Sequence, residues 1–199
     1  MRIARTFVGC LLSLAVAAAP APAGAQAAQE LPPHLAEAAQ DEARAGPLKK
    51  AWLKDHGWRY AKPGQADWAF TLLLVRQSPW PEWHQRNVVV LPPGTRFEMA
   101  LAPGQQPDRP GGFGTFERIA DVRFVRDALA VKTEWKPSID RVVTFEVTEP
   151  LLADVGLVGP QIDLEENRYL RGGASQLEMM VPSAQRLKYI KQVTIRTID

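Results

Sequence analysis

Residues 169–183 read Y-L-R-G-G-A-S-Q-L-E-M-M-V-P-S, a glycine doublet followed by a run typical of a β-strand. In a strand over 174–181, alternate side chains point to opposite faces of the sheet. Gln176 and Glu178 then share the face opposite the leucine, about 7 Å apart. An amide and a carboxylate side by side after a turn can hold a polar ligand. The alternative is an edge strand with a solvated Gln/Glu face, which is the commoner outcome for this spacing.

The first residues have the composition of an export signal. Two arginines precede an apolar run over 7–19, and residues 25–27 read A-Q-A, the form of a signal-peptidase cleavage site. The apolar run is too short for a comfortable membrane span. We therefore expect a secretory signal peptide over 1–27, no membrane anchor, and a secreted or periplasmic protein.

Removal of the signal leaves a chain of balanced charge. The signal removes Arg2 and Arg5 from 24 basic residues and removes no acid, so 22 basic side chains face 22 acidic ones. A neutral chain offers no electrostatic basis for binding nucleic acid, and we expect none. The single cysteine, Cys10, lies within the signal, so the mature chain has neither a disulfide nor a thiolate nucleophile.

The segment that follows the signal, 28–66, predicts helices. Residues 35–45 are rich in Ala and Glu, and residues 48–56 carry their apolar side chains on one side. Gly46 and Pro47 separate the two stretches, and neither residue favours a helix interior. We therefore expect two short helices with a break between them.

The remainder, 67–199, predicts a β-rich domain. Its first strand is an unbroken apolar run over 67–77, as in a strand that is buried on both faces. A short helix is expected over 121–130, and loops are expected over 80–86 and over 102–114, which is rich in Gly and Pro. The other strands are predicted at 87–91, 95–101, 139–147, 151–158, 174–181 and 189–198. The expected class is α+β, an N-terminal helical segment followed by a mostly antiparallel sheet.

Metal-binding and catalytic motifs are scarce. The sequence has no nucleophile elbow, P-loop or zinc-protease motif. Its three histidines lack the spacing of metal ligands, so no metal is expected, and His84 is expected to be a loop residue rather than a base. Asp163, Glu165 and Glu166 form an acidic turn that could bind calcium, although a solvated loop is the commoner explanation.

Four segments resemble one group of toxins. They read L-P-P-G-T-R-F-E-M-A at 91–100, P-G-G-F-G-T at 110–115, D-V-R-F-V-R-D-A-L-A-V at 121–131 and Y-L-R-G-G-A-S-Q-L-E-M-M-V-P at 169–182. In these segments the chain resembles the C-terminal domains of bacterial polymorphic toxins of the ADP-ribosyltransferase and NAD glycohydrolase-like group, which includes relatives of the tuberculosis necrotizing toxin. The resemblance implies a split β-sheet, NAD as the substrate, and a protein acceptor or an immunity protein as partner.

The resemblance also implies a set of site residues. In that group a P-x-G-T segment carries part of the NAD site, and here it ends at Thr95. A G-G-x-x-Q strand supplies an essential Gln, or a Gln-x-Glu pair in the transferase branch. The corresponding residues here are Gly172, Gly173, Gln176 and Glu178. Members often hold the NAD phosphates with an Arg a few residues after the Gly-Thr; Met99 lies near that place, and Arg96 is the nearest substitute.

These residue types suit cleavage of the nicotinamide–ribose bond, whose transition state resembles an oxocarbenium ion. Glu178 would stabilise the positive ribose or activate the acceptor, and Gln176 would hydrogen-bond the ribose or the attacking group. Arg96 would pair with phosphate as a fixed fork. Phe113 or Phe116 could stack on a ring, although anchoring of the loop is the commoner role. The implied function is an exported toxin-like domain that transfers ADP-ribose to a macromolecule or to water.

A second interpretation requires no catalysis. Two indoles exposed together, Trp80 and Trp83, would form an apolar contact surface on an exported binding protein. The two interpretations differ in a geometric requirement. The enzyme needs Arg96, Gln176 and Glu178 in one cleft, whereas the binding protein needs both indoles on one open surface.

Overall fold

The structure is a computed structural model that describes residues 33–75 and 78–199. The predicted signal peptide, 1–27, lies outside these residues, so export stays a prediction, as do the predicted domain limits. Within the described residues a helical segment comes first and antiparallel sheets follow, which confirms the predicted α+β class. None of the described helices is both long enough and apolar enough to cross a membrane.

The first helix, α1, runs without interruption over Pro33–His56. The predicted break at Gly46 and Pro47 is therefore wrong, because Pro47 lies inside this helix. Ala45 and Trp52, on either side of it, are buried in one cluster of apolar side chains. Packing of such a face supplies most of the stability of a helix in a protein, and here it outweighs the poor helix propensity of two residues.

The second helix, α2, spans Pro63–Val75 and takes the place of the strand predicted over 67–77, which is wrong. An apolar run of this length fits a buried strand or a buried helix equally well by composition. Ala66, Ala69 and Phe70 are buried with the i, i+3, i+4 spacing of one helical face, and they pack in the same cluster as α1. The contact with α1 therefore selects the helix.

The described residues form nine strands in three antiparallel sheets. The strands are β1 Val88–Leu91, β2 Arg96–Leu101, β3 Phe113–Gly114, β4 Arg141–Val147, β5 Leu151–Leu157, β6 Gln161–Asp163, β7 Arg168–Leu170, β8 Ser175–Met179 and β9 Ile190–Thr197. One sheet has the order β1-β5-β8-β3, a second has the order β2-β4-β9, and β6 pairs with β7. The remaining elements are the helix α3, Val122–Asp127, and the 3-10 turns Gly57–Arg59 and Ser183–Lys188. Apart from 67–77, each predicted strand is confirmed, and so is the short helix.

One core joins the two larger sheets. Leu177 of β8 and Ala153 of β5 meet Phe97 of β2 and Phe145 of β4 in a single buried cluster. Burial of each large apolar side chain contributes about 1.5–3 kcal/mol relative to exposure. Because Leu177 faces this core, its strand neighbours face the other way, as the alternation predicts. The edge-strand alternative is wrong, because β8 lies between β5 and β3.

The glycine doublet fixes the start of β8. Gly172 and Gly173 have φ values of 69° and 95°, in the left-handed region. The N–H of Gly172 donates to the carbonyl of Asp127, and that of Gly173 donates to the carbonyl of Val158, each at 2.9 Å. A Cβ on Gly172 would lie 2.6 Å from the carbonyl oxygens of Val158 and Gly159. The turn therefore depends on a glycine here for close approach as well as for conformation.

We expect Gly172→Ala to destabilise the protein by about 3–5 kcal/mol, because backbone atoms must move to admit the methyl group. Gly173→Ala is the matched control, because a Cβ there meets nothing within 4 Å. The control should lose only the strain of positive φ, about 1–2 kcal/mol. Urea unfolding followed by circular dichroism measures both variants, and equal losses would contradict the steric argument.

Candidate functional site

A cleft of about 710 Å³, its open mouth included, lies between β8, β3, β2 and the segment around α3. Its apolar walls come from Met99, Phe113, Val125, Leu129 and Val131. Its polar side chains are Glu98, Gln105, Thr115, Lys136 and Gln176. A mostly apolar cleft with a few convergent polar groups is the usual form of a small-molecule site.

Gln176 is the buried polar group of this cleft. The residue is 5% exposed, and its Nε2 has no hydrogen-bond partner among the described residues. A buried donor without an acceptor costs about 1–3 kcal/mol, and such groups in folded proteins call for an explanation. An acceptor on a bound ligand would remove this cost, so the cleft carries an open donor in its wall.

Glu178 lies two residues after Gln176 in β8 and is therefore the next side chain on the same face of the sheet. Its cross-strand neighbours are Asp154 on β5 and Phe113 on β3. The indole Nε1 of Trp80 donates to its Oε2 at 3.1 Å. The carboxylate therefore has one fixed donor, and Phe113 borders both this group and the Gln176 cleft.

The segment from Trp80 to His84 folds back over β5 and β8. The Trp80 indole and the His84 imidazole are stacked, with ring centroids 4.0 Å apart. The Nε2 of His84 lies 3.2 and 3.3 Å from the two carboxylate oxygens of Asp154. Asp154 is 4% exposed and accepts the Asn87 N–H at 2.8 Å. Gly156 makes room for the stack, since a Cβ there would lie 2.7 Å from the His84 ring. His84 is a loop residue, as predicted, and it is anchored to a buried acid.

Lys136 brings a cation to the cleft. Its Nζ donates to the carbonyl of Ala100 at 3.1 Å and to Gln105 Oε1 at 2.8 Å. Burial lowers the pKa of this ammonium group, and the nearby charge of Arg126 lowers the pKa further. Among the described residues, no carboxylate forms an ion pair with Lys136.

Arg96, Thr95 and Phe116 lie elsewhere. Arg96 and Phe116 line a separate open hollow, and the Arg96 guanidinium pairs with Glu146 at 2.8 Å. The Thr95 hydroxyl donates at 2.7 Å to a carbonyl of the preceding turn. Arg96 and Gln176 therefore do not share a cleft, and the geometric requirement of the enzyme interpretation is met only in part.

The structure brings together three of the predicted site residues: Phe113, Gln176 and Glu178. Phe113 is 41% exposed and forms part of the cleft wall. Gly172 and Gly173 shape the turn that leads into β8, as described above. The roles of all these residues in binding or catalysis stay predictions.

The two indoles of the binding-protein interpretation do not form one open surface. Trp80 is half-buried and faces Glu178, whereas Trp83 is 37% exposed. The guanidinium of Arg59 lies 3.9 Å from the Trp83 ring centroid and 4.5 Å from that of Trp58, which is 74% exposed. Trp83 is instead grouped with Trp58 around this arginine.

Asp163 in the acidic turn binds backbone groups. Its carboxylate accepts the N–H of Thr133 at 2.6 Å and those of Glu165 and Glu166 at 3.1 Å. Burial alone raises the pKa of Asp163, but these donors together outweigh burial and hold the pKa below its usual range. In the part of the chain that the structure describes, no group of three or more His, Cys, Asp or Glu side chains is placed to hold a metal ion.

Sequence reasoning missed Asp154 and Lys136. The sequence does contain an indication that Asp154 is special, because it is the one carboxylate within the apolar run predicted as a strand at 151–158. A buried strand rarely holds an acid unless the acid has partners. Lys136 had no such signal, since its place in the cleft depends on contacts with β2 and with the loop that follows β2.

Comparisons with known proteins add three similar solved structures. Tne2 in complex with Tni2 is 25% identical, with a TM-score of 0.49, and the match covers 60% of this chain and 97% of that one. Rhs1-CT in complex with its cognate immunity protein RhsI1 is 15% identical, with a TM-score of 0.41, over 58% and 83% of the two chains. Tse6 in complex with Tsi6 is 16% identical, with a TM-score of 0.38, over 76% and 97%.

No protein-family model and no curated protein matches this sequence. With TM-scores below 0.5, the three structural similarities do not by themselves carry a function to this chain. The resemblance to the ADP-ribosyltransferase group therefore stays a prediction from the sequence.

The contact between Trp80 and Glu178 can be measured by a double-mutant cycle. We expect Trp80→Phe and Glu178→Ala to be less than additive by about 1 kcal/mol, because either change alone removes the hydrogen bond. Urea unfolding of the wild type, the two single variants and the double variant gives this coupling energy. Additive losses would show that the bond contributes nothing to stability.

The Asp163 carboxylate should stabilise the fold in a pH-dependent way. Because its pKa is lowered by folding, its contribution is complete above the unfolded pKa, near 4, and is lost as pH falls through the folded pKa. We expect Asp163→Asn to cost about 1–3 kcal/mol at pH 7 and less at pH 3. Urea unfolding at both pH values tests this. Glu165→Gln, at an exposed position of the same turn, is the control, and an equal loss at both pH values for Asp163→Asn would contradict the assignment.

Proposed function

We propose that this chain is an exported toxin-like domain that uses NAD. It breaks the nicotinamide–ribose bond and passes ADP-ribose to a macromolecule or to water. The sequence resemblance supports the proposal through the Gly-Gly-x-x-Gln element that ends at Gln176. The single observation that carries it is the buried Gln176 Nε2, which has no hydrogen-bond partner among the described residues and lies in the wall of a cleft.

Gln176 is the residue best placed to touch the substrate. Its Nε2 donates to a ribose hydroxyl or to the attacking group, which gives the buried donor its missing acceptor. Phe113 in the same wall offers a ring face to a base or to the nicotinamide. Gln176 and Phe113 both lie on strands, and a ligand that they hold in one orientation is favoured to adopt a reactive geometry.

Glu178 supplies negative charge beside the cleft. As the nicotinamide–ribose bond breaks, positive charge develops on the ribose, and a carboxylate in a partly desolvated position stabilises it. The Trp80 indole holds this carboxylate in one orientation. Asp154 is its cross-strand neighbour, so a second acid lies close by. Nicotinamide leaves as a neutral molecule with the electron pair of the broken bond, so its departure needs no acid. The water that forms the new bond to the ribose loses one proton, which passes to a carboxylate beside the cleft or to the solvent.

The partners are part of the proposal. The sequence resemblance implies a protein acceptor or an immunity protein. Dependence of the reaction on an added acceptor distinguishes the transfer of ADP-ribose to a protein from its transfer to water.

The test is NAD consumption by the purified mature protein, with free nicotinamide measured in the presence and absence of a protein extract. We expect Gln176→Ala and Glu178→Ala each to lower kcat/KM by about 100-fold or more, because each removes an interaction with the transition state. Glu149→Ala removes an exposed carboxylate and should leave kcat/KM unchanged.

A wild-type protein that does not consume NAD, with or without the extract, would overturn the proposed reaction, and the absence of any NAD-dependent rise in melting temperature would also exclude NAD as a ligand. Turnover that survives in both variants would keep the reaction but reject these residues. Circular dichroism of each variant distinguishes loss of chemistry from loss of fold.

A further inference from the structure

Lys136 is a half-buried cation whose described partners are all neutral. An ammonium group has three N–H donors, and the structure supplies two acceptors, the Ala100 carbonyl and the Gln105 side-chain oxygen. A charge removed from water without a counter-ion is costly. The group that would stabilise this ammonium best is therefore an anion.

The other charged groups near the cleft do not provide that anion. Glu98 is the acidic residue among the polar groups lining the cleft, but its Oε2 is held by Arg196 at 2.7 Å and by the Ile119 N–H at 2.8 Å. Arg126 brings a second cation near Lys136. Its guanidinium donates to the carbonyls of residues 131, 136 and 137, and the carboxylates of Asp163 and Glu166 act on its charge from nearby. Among the described residues the Lys136 ammonium therefore has no carboxylate in an ion pair with it, and a ligand group with negative charge would supply that partner.

Two polar side chains of the cleft offer hydrogen-bond donors. Lys136 has an N–H to spare, and the Gln176 Nε2 has no partner among the described residues. Both side chains line the same cleft, together with apolar walls. A ligand that brings negatively charged acceptor oxygens next to an apolar body would satisfy these groups, and a phosphorylated nucleoside meets both conditions.

We propose that Lys136 is the residue that binds the phosphate groups of a nucleotide ligand in the Gln176 cleft. The inference rests on the proposed function and deepens it, because a dinucleotide substrate carries a diphosphate. It also replaces a predicted role. Arg96 was the expected phosphate ligand, but it pairs with Glu146 and lines a different hollow.

The first experiment measures binding of ADP-ribose by calorimetry. We expect Lys136→Met to raise the dissociation constant about tenfold or more, through loss of a charge-assisted hydrogen bond. Lys136→Arg keeps the charge and should stay within a few-fold of the wild type. Lys188→Met removes an exposed lysine and should have no effect.

A second experiment needs only the wild-type protein, in case Lys136→Met does not fold. Lysines are acetylated with a trace of acetic anhydride, and the modification of Lys136 is followed by mass spectrometry. ADP-ribose should slow acetylation of Lys136 severalfold, whereas adenosine, which lacks phosphate, should not. Bound ADP-ribose that leaves Lys136 as reactive as before would overturn the inference.

The outcomes separate this inference from the proposed function. If the wild type consumes NAD and a folded Lys136→Met variant shows the same KM and the same affinity for ADP-ribose, the inference is wrong and the function stands. If ADP-ribose binds through Lys136 but NAD is not consumed, the phosphate site stands and the function is wrong. A wild type that does not bind ADP-ribose at millimolar concentration overturns the inference.

Discussion

The register of β8 against β5 is the constraint on which the candidate site depends. Gln176 lies opposite Gly156, and Glu178 lies opposite Asp154. A shift of one residue would turn both polar side chains into the core and the leucine between them outward, because side chains alternate along a strand. The turn at Gly172 and the core contacts of the other face both oppose such a shift. The positions of Gln176, Glu178 and Asp154 follow from this pairing.

The polar groups around the site differ in how fully they are satisfied. The buried acids have donors of their own: Asp154 receives a backbone N–H and lies within hydrogen-bond distance of His84, and Asp163 receives three backbone N–H groups. The Gln176 amide and the Lys136 ammonium keep donors to spare. Acids whose hydrogen bonds are satisfied stabilise the fold, since loss of those bonds would leave a buried charge without a partner. Unsatisfied donors add nothing to stability, and the proposed ligand would supply the acceptors that they lack.

The loop that carries Trp80 and His84 has a structural role that its amino-acid composition does not indicate. A polar, aromatic segment between strands resembles a contact surface for a partner. Here one indole is stacked on a histidine and bonded to Glu178, and Gly156 leaves the space that this stack needs. The loop therefore belongs to the same packing unit as the site, and a change in it would alter the orientation of the Glu178 carboxylate.

The sequence by itself determined the elements with a clear local period. Alternation located β8 and β4, and the prolines and glycines located the turns between strands, because these signals need no distant partner. The apolar run at 67–77 has no such period, so only packing against α1 made it a helix. The strands β3, β6 and β7 have two or three residues each, too few for alternation to reveal. The Gln176 face was likewise predictable from one strand. The cation in the cleft was not predictable. Arg96 directly follows the Gly-Thr segment in sequence, but it pairs with Glu146 on the neighbouring strand of the second sheet. Lys136 reaches the cleft only through the tertiary fold.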